Sequence, residues 1–176
     1  MRWGTVAPLG VFLALSLAFA ISLMRGPEPP QAVELRPAPA FDLPGLAPGE
    51  AGLSSAELAG RVTLINVFAS RCASCALEHP VWMEVARRGE AEVYGVAWQD
   101  KPGAARAWLD GRGDPYAGAA DDADGRLGLD LGVTGTPETF VIDRRGRIRR
   151  HLVGPVTPTL WRNELQPLIA RLQAES

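Results

Sequence analysis

The chain begins with a long uncharged apolar stretch, passes through a segment crowded with proline, and then alternates short β-branched runs with segments of helical period. Arg61 to Phe68 (RVTLINVF) is a nearly continuous apolar run, the pattern of a strand buried on both faces of a sheet. From Ala73 to Arg88, Leu77, Val81, Trp82 and Val85 recur at helical spacing, and Gly89 supplies a stop. Glu92 to Trp98 reads as the next strand. Gly103 to Asp110 reads as a short helix with Trp108 and Leu109 inward. A small strand is expected beyond Pro115-Tyr116, then an acidic turn and a helical segment from Arg126 to Leu131. Glu138 to Asp143 and Arg147 to Val153 flank Arg144-Arg145-Gly146 as an antiparallel hairpin. Thr157-Pro158 opens a last helix, with Thr as cap and Pro at the first helical position. Leu160, Trp161, Leu165, Leu168, Ile169 and Leu172 form its buried face, and Pro167 should kink or shorten it. Ahead of all this, Phe41 to Pro44 predicts a first short strand, and Ser54 to Glu57 has the spacing of a capping box before a short helix. Alternating strands and helices predict an α/β domain whose parallel strands are covered on both faces.

Trp3 to Met24 carries no charge and, at about 1.5 Å per helical residue, spans roughly the 30 Å hydrocarbon layer. Residues 1–25 therefore read as a membrane anchor or a signal segment. Ala18-Phe19-Ala20 fits a cleavage site, but the apolar run continues through Ile21, Leu23 and Met24, which favours an uncleaved anchor. Residues 26–40, with Pro27, Pro29, Pro30, Pro37 and Pro39, read as an extended linker. Residues 41–174 form the predicted folded domain.

A chain of 176 residues with 47% hydrophobic content supports one ordinary core. Net charge of -2 and dispersed arginines give no support to nucleic-acid binding. The cluster Arg144, Arg145, Arg147, Arg149 and Arg150 reads as a solvated turn and a charged sheet edge. Asp121-Asp122-Ala123-Asp124-Gly125 fails a calcium-loop register, which would start at Ala120 and end at Leu131, so it reads as a turn and helix cap.

The two cysteines, Cys72 and Cys75, sit at the start of the predicted first long helix. Zinc would want a second ligand pair, and only His79 and His151 are available, far apart in sequence. Covalent haem would want His where Ala76 stands. A structural disulfide over so short a ring contributes on the order of 2 kcal/mol or less. A redox dithiol fits the context better. Unpaired N–H groups at the helix start stabilise a Cys72 thiolate as nucleophile, with Cys75 as resolving thiol. The Pro-x-x-x-Thr-x-x-Cys pattern of a peroxidase is absent, since Ile65 and Ala69 occupy its Pro and Thr positions.

Asn66-Val67-Phe68-Ala69-Ser70, the dithiol with Glu78-His79-Pro80, Asp114-Pro115-Tyr116, Gly128 to Val133 and Gly135-Thr136-Pro137-Glu138-Thr139-Phe140 together resemble a known family. From Phe41 to Leu168 the chain is similar to the DsbE/CcmG family, thiol:disulfide interchange proteins of cytochrome c maturation. The resemblance implies a thioredoxin-like fold, a central mixed β-sheet flanked by helices, with an N-terminal transmembrane anchor helix. It implies a cis bond before Pro137, a Thr136 backbone available to an extended partner chain, and Glu78 and Glu138 lining the groove. Where the family has Trp before the first cysteine, this chain has Arg71, whose charge should tune the Cys72 thiolate and alter the partner-binding surface. The implied partners are apocytochrome c or a cytochrome c assembly protein, with a membrane thiol:disulfide carrier as electron donor and no metal or organic cofactor. The implied location is the cytoplasmic membrane, with the domain facing the periplasm or cell exterior. Two alternatives are a general extracytoplasmic reductase and a tethered binding domain with an inert disulfide.

Overall fold

A computed structural model of the chain describes residues 11–13, 15–16 and 36–175. Residues 11–13 and 15–16 are helical, and the rest of the expected anchor and the Ala18-Phe19-Ala20 site lie outside the described residues. No described helix is long and apolar enough to cross a membrane.

The folded unit is built on a six-stranded mixed sheet. Its strands are β1 (Arg36–Pro37), β4 (Thr63–Phe68), β5 (Val93–Trp98), β6 (Gly118–Asp122), β7 (Glu138–Ile142) and β8 (Arg147–Val153), in the spatial order β1-β8-β7-β4-β5-β6. The pairs β4–β5 and β5–β6 are parallel; β4–β7, β7–β8 and β1–β8 are antiparallel. The expected first strand is β2 (Asp42–Leu43), which pairs with β3 (Leu53–Ser54) in a separate ribbon. Edge strand β1 comes from the stretch assigned to the linker. Two residues carry no readable period, and proline is tolerated at a sheet edge.

Burial on both faces explains why β4 is apolar apart from Thr63 and Asn66. Ile65 and Val67 face one core with Tyr94, Val96, Phe140 and Ile148, covered by helix α3 (Arg126–Leu131) through Leu127 and Leu131. Leu64 and Phe68 face the other side. There they meet α1 (Ala73–Arg88), α2 (Ala104–Arg112) and a final helical segment α4. Segment α4 runs through Pro158–Leu160, a π-helical stretch Trp161–Leu165, and Gln166–Ala174. Pro167 neither stops nor simply shortens it: the backbone shifts to a wider turn just ahead of the proline, whose nitrogen has no hydrogen to donate.

Two other expectations change. Ser54 and Glu57 make the capping-box bonds, with Ser54 N–H donating to Glu57 Oε2 at 3.0 Å. The segment nevertheless closes as successive tight turns, Glu57 N to Ser54 O and Ala59 N to Ala56 O, and ends at Gly60 before a helical ladder starts. Leu77 is 75% exposed, because the buried stripe of α1 runs through Cys75, Glu78, His79, Val81, Trp82 and Val85. A hydrogen-bonded glutamate takes the inward position that hydropathy assigned to leucine. The arginine hairpin is tied down by ion pairs: Arg147 and Arg149 to Asp143, Arg149 to Glu175, and Arg150 to Glu164. In the acidic turn, Asp122 caps α3, accepting from Leu127 N–H at 3.1 Å and Gly128 N–H at 2.8 Å.

Gly95 in β5 lies under the Tyr116 ring, and a Cβ there would meet it at 2.6 Å. Gly95→Ala is expected to destabilise the domain by about 2 kcal/mol through overpacking, measured as a lower urea midpoint. An unchanged midpoint would show that Tyr116 moves aside freely.

Candidate active site

Strand β4 ends at Phe68, and the chain turns through Ala69–Arg71, with Cys72 N–H bonding Ala69 O at 3.0 Å. Cys72 is the N-cap of α1: its backbone is extended (φ -86°, ψ 111°) and its sulfur accepts from Cys75 N–H at 3.0 Å. The two cysteines are disulfide-bonded, with Cα atoms 5.3 Å apart. Their surroundings differ. Cys75 is 2% exposed and packs with Phe68, Ala97, Trp108 and Leu109, whereas Cys72 is half-buried and reaches the surface. The bond between Thr136 and Pro137 is cis, and Thr136 O lies 3.4 Å from Cys72 Sγ. An outer sulfur that caps a helix, beside an inner one under cover, is suited to nucleophilic attack followed by internal resolution.

Arg71 directs its guanidinium to the β5–α2 turn, where Nη1 donates to Gln99 O at 2.8 Å and lies 3.4 Å from Asp100 Oδ1. The Asp100 carboxylate, buried, also accepts from Ser70 N–H at 2.6 Å and Ser70 Oγ at 2.9 Å. The cation expected to act on Cys72 is thus held by a carboxylate, with the side chain still 57% exposed at the rim.

Glu78, three residues after Cys75 in α1, is 1% exposed. Its Oε1 accepts from Asn66 Nδ2 and its Oε2 from Val156 N–H, each at 2.8 Å. Asn66 also donates to Thr139 Oγ1 at 3.2 Å and accepts from Tyr116 OH at 2.8 Å. Burial pushes the Glu78 carboxyl above its ordinary value of 4.5, against the lowering effect of the Val156 and Asn66 donors. Burial, reinforced by the Glu78 charge, pushes the Tyr116 phenol well above 10, so it remains a donor.

Glu138 is fully buried at the start of β7. Its Oε1 gathers Thr134 N–H at 2.8 Å, Thr134 Oγ1 at 2.7 Å and Gly135 N–H at 3.0 Å, and its Oε2 meets His151 Nε2 at 2.6 Å. It braces the loop carrying Thr136 and Pro137 from inside. The structure therefore brings Cys72 and Thr136 together at the edge of the surface with Cys75 and Pro137 buried behind them, buries Glu78 and Glu138 in separate networks, and sets Arg71 to one side. Sequence reasoning missed Asn66, Tyr116, Asp100 and His151 as parts of the site. A lone amide within an apolar strand was the available signal for Asn66, since a buried polar group needs partners. Among the described residues no group of three or more His, Cys, Asp or Glu side chains is placed to hold a metal ion.

Three comparisons with known proteins identify the fold and the family. The Redoxin family model matches residues 35–166. The thiol:disulfide interchange protein DsbE of Pseudomonas aeruginosa is 42% identical over 169 residues, covering 96% of this chain and 93% of its own. DsbE of Escherichia coli K12 is 36% identical over 176 residues, covering 96% and 95%. The crystal structure of a protein assigned as DsbE from Chlorobium tepidum superposes with a TM-score of 0.65 at 29% identity, covering 79% of this chain and 97% of that one. The mixed sheet with its flanking helices is accordingly a thioredoxin-like α/β fold.

Burial fixes the sign of a pH effect at Glu78. The folded protein holds this proton to higher pH than the unfolded chain, so Glu78's contribution to stability is full below about pH 4.5 and is lost as pH rises through the raised folded value. Urea unfolding of the oxidised protein should show wild type losing stability relative to Glu78→Gln from below pH 4.5 to neutrality. A difference that stays constant across that window would place the folded Glu78 pKa at its ordinary value.

Proposed function

Since the chain belongs to the DsbE family of thiol:disulfide interchange proteins, we propose that its Cys72–Cys75 dithiol reduces a partner disulfide in cytochrome c assembly. The observation that carries this reading is the half-buried Cys72 sulfur at the cap of α1, beside the Thr136 carbonyl, with Cys75 covered behind it. In the reduced protein the Cys72 thiolate attacks one sulfur of the partner disulfide and expels the other as a thiolate. Cys75, deprotonated, then attacks Cys72 Sγ, forming the Cys72–Cys75 disulfide and releasing the partner's second thiol. Two electrons and the protons pass to the partner, and a membrane thiol:disulfide carrier restores the dithiol.

Each remaining residue has a place in this scheme. Thr136 offers backbone to an extended partner chain beside Pro137. Glu78 accepts the Cys75 proton during resolution, a task for which a carboxyl with raised pKa is suited. Glu138 holds the loop, and Arg71 forms the partner-facing rim. The client is apocytochrome c or its assembly partner, whose Cys-x-x-Cys-His thiols must be free before haem attaches. An oxidising compartment makes that reduction necessary, so the domain, tethered by residues 1–25 and the proline-rich linker, stands on the outer side of the cytoplasmic membrane.

Alkylation of the reduced protein across pH should give Cys72 a pKa below the free-thiol value of about 8.5 and leave Cys75 slow. Two thiols that react alike near that value would point to an inert disulfide. In cells, deleting the protein or introducing Cys72→Ser should lower holocytochrome c while leaving most exported disulfide proteins intact, and an added small thiol should restore the cytochromes. Normal cytochrome levels in a strain with no redundant reductase would favour a general reductase instead.

A further inference from the structure

Resting on the reading in which a partner chain lies along Thr136, we propose that His151 is a positioning residue for partner docking. It acts through Glu138 on the loop that carries Thr136 and Pro137. The loop hangs between two fixings. At one end Glu138 Oε1 gathers Thr134 N–H, Thr134 Oγ1 and Gly135 N–H; at the other, Gly154 N–H donates to Pro137 O at 2.9 Å. The first fixing is only as rigid as the carboxylate, which must be held against rotation about its last side-chain bond. His151 does this. Its Nε2 stands 2.6 Å from Glu138 Oε2, and a carboxylate oxygen accepts, so the imidazole N–H donates.

The ring is itself fixed. His151 lies opposite Phe140 in the β7–β8 register and stacks on it, with centroids 4.2 Å apart and planes 16° apart. Phe140 has no exposure, so the face under the imidazole is part of the core. Rigid core, stacked ring, buried carboxylate and loop backbone form one chain of contacts that ends at the carbonyl 3.4 Å from Cys72 Sγ. The histidine side chain is 24% exposed, so nothing about its burial alone demands the pairing. Removing the donor leaves a buried carboxylate oxygen short of a charge-assisted bond and frees the loop to sample other positions. A disordered docking edge weakens binding of an extended chain, which needs several backbone atoms aligned. A small disulfide needs only the sulfur.

The test compares two substrates for the reduced protein. One is a synthetic peptide whose Cys-x-x-Cys-His disulfide is flanked by extended chain on both sides, and the other is hydroxyethyl disulfide. His151→Phe keeps the stack on Phe140 without a donor, and His151→Gln keeps a donor without the ring. In His151→Phe the ratio of peptide to hydroxyethyl disulfide kcat/KM should fall by about tenfold, carried by KM for the peptide, as expected for one lost charge-assisted bond. His151→Gln should recover most of that ratio. If the phenylalanine variant does not fold, His151→Asn, whose shorter side chain withdraws the donor, should give the same fall. An unchanged ratio in the donor-less variants, or a glutamine variant as impaired as they are, overturns the proposal. Wild type that exchanges with hydroxyethyl disulfide but shows no preference for the peptide removes the docking edge and this role with it. Wild type inert toward both disulfides removes the thiol-exchange reading itself.

Discussion

One buried amide joins the parts of this site. Asn66 sits in the central strand β4 with both sheet faces covered, and its side chain bonds Glu78 on α1, Thr139 on β7 and Tyr116 on the loop before β6. An unpaired amide there would cost about 1–3 kcal/mol, so the folded state keeps all three partners on it. The Glu78 bond, with the packing of Val81, Trp82 and Val85, holds the rotation of α1 about its axis. That rotation turns Glu78 inward and Leu77 to solvent, covers Cys75 with Phe68 and Trp108, and leaves Cys72 at the surface. The dithiol owes its asymmetry to a polar contact on the turn below it.

Electrostatics at the sulfurs are a contest of modest terms. A helix N-terminus stabilises a negative charge by about 0.3–1 kcal/mol, and about 2 kcal/mol in partly buried geometry. The Cys75 N–H bond to Cys72 Sγ acts in the same direction. Arg71 contributes less than its position beside Cys72 suggests, because Asp100 balances its charge and Gln99 O holds its nitrogen.

The second carboxylate has a different task from the first. Glu78 faces a neutral amide and a backbone N–H, while Glu138 gathers three donors from one loop and an imidazole from the neighbouring strand. Two glutamates that look alike in sequence therefore sit in different networks: one ties α1 to the central strand and to the Val156 backbone, and the other shapes the backbone beside Cys72. Two-strand pairing makes this possible, since β7 and β8 place Phe140 beneath His151 and Glu138 within its reach.

Local rules determined much of this protein from its sequence. The apolar run of β4, the Ala73–Arg88 helix with its Gly89 stop, the Thr157-Pro158 cap and the Arg126–Leu131 helix depend on period and on neighbouring residues, so they were legible in order along the chain. The dithiol at a helix start was legible for the same reason, and the Gly135 to Phe140 string pointed to the loop beside it. What only the tertiary structure decided are the contacts between elements far apart in sequence. Glu78 became a buried group because Asn66 and the Val156 N–H were waiting for it, and hydropathy had no means of ranking it above Leu77 for the inward position. Arg71 was claimed by Asp100 across the β5–α2 turn, β1 was recruited from the proline-rich stretch by an edge, and His151 met Glu138 through strand pairing. Periodicity says which residues share a face; which polar groups satisfy one another across faces is settled only when the whole chain has packed.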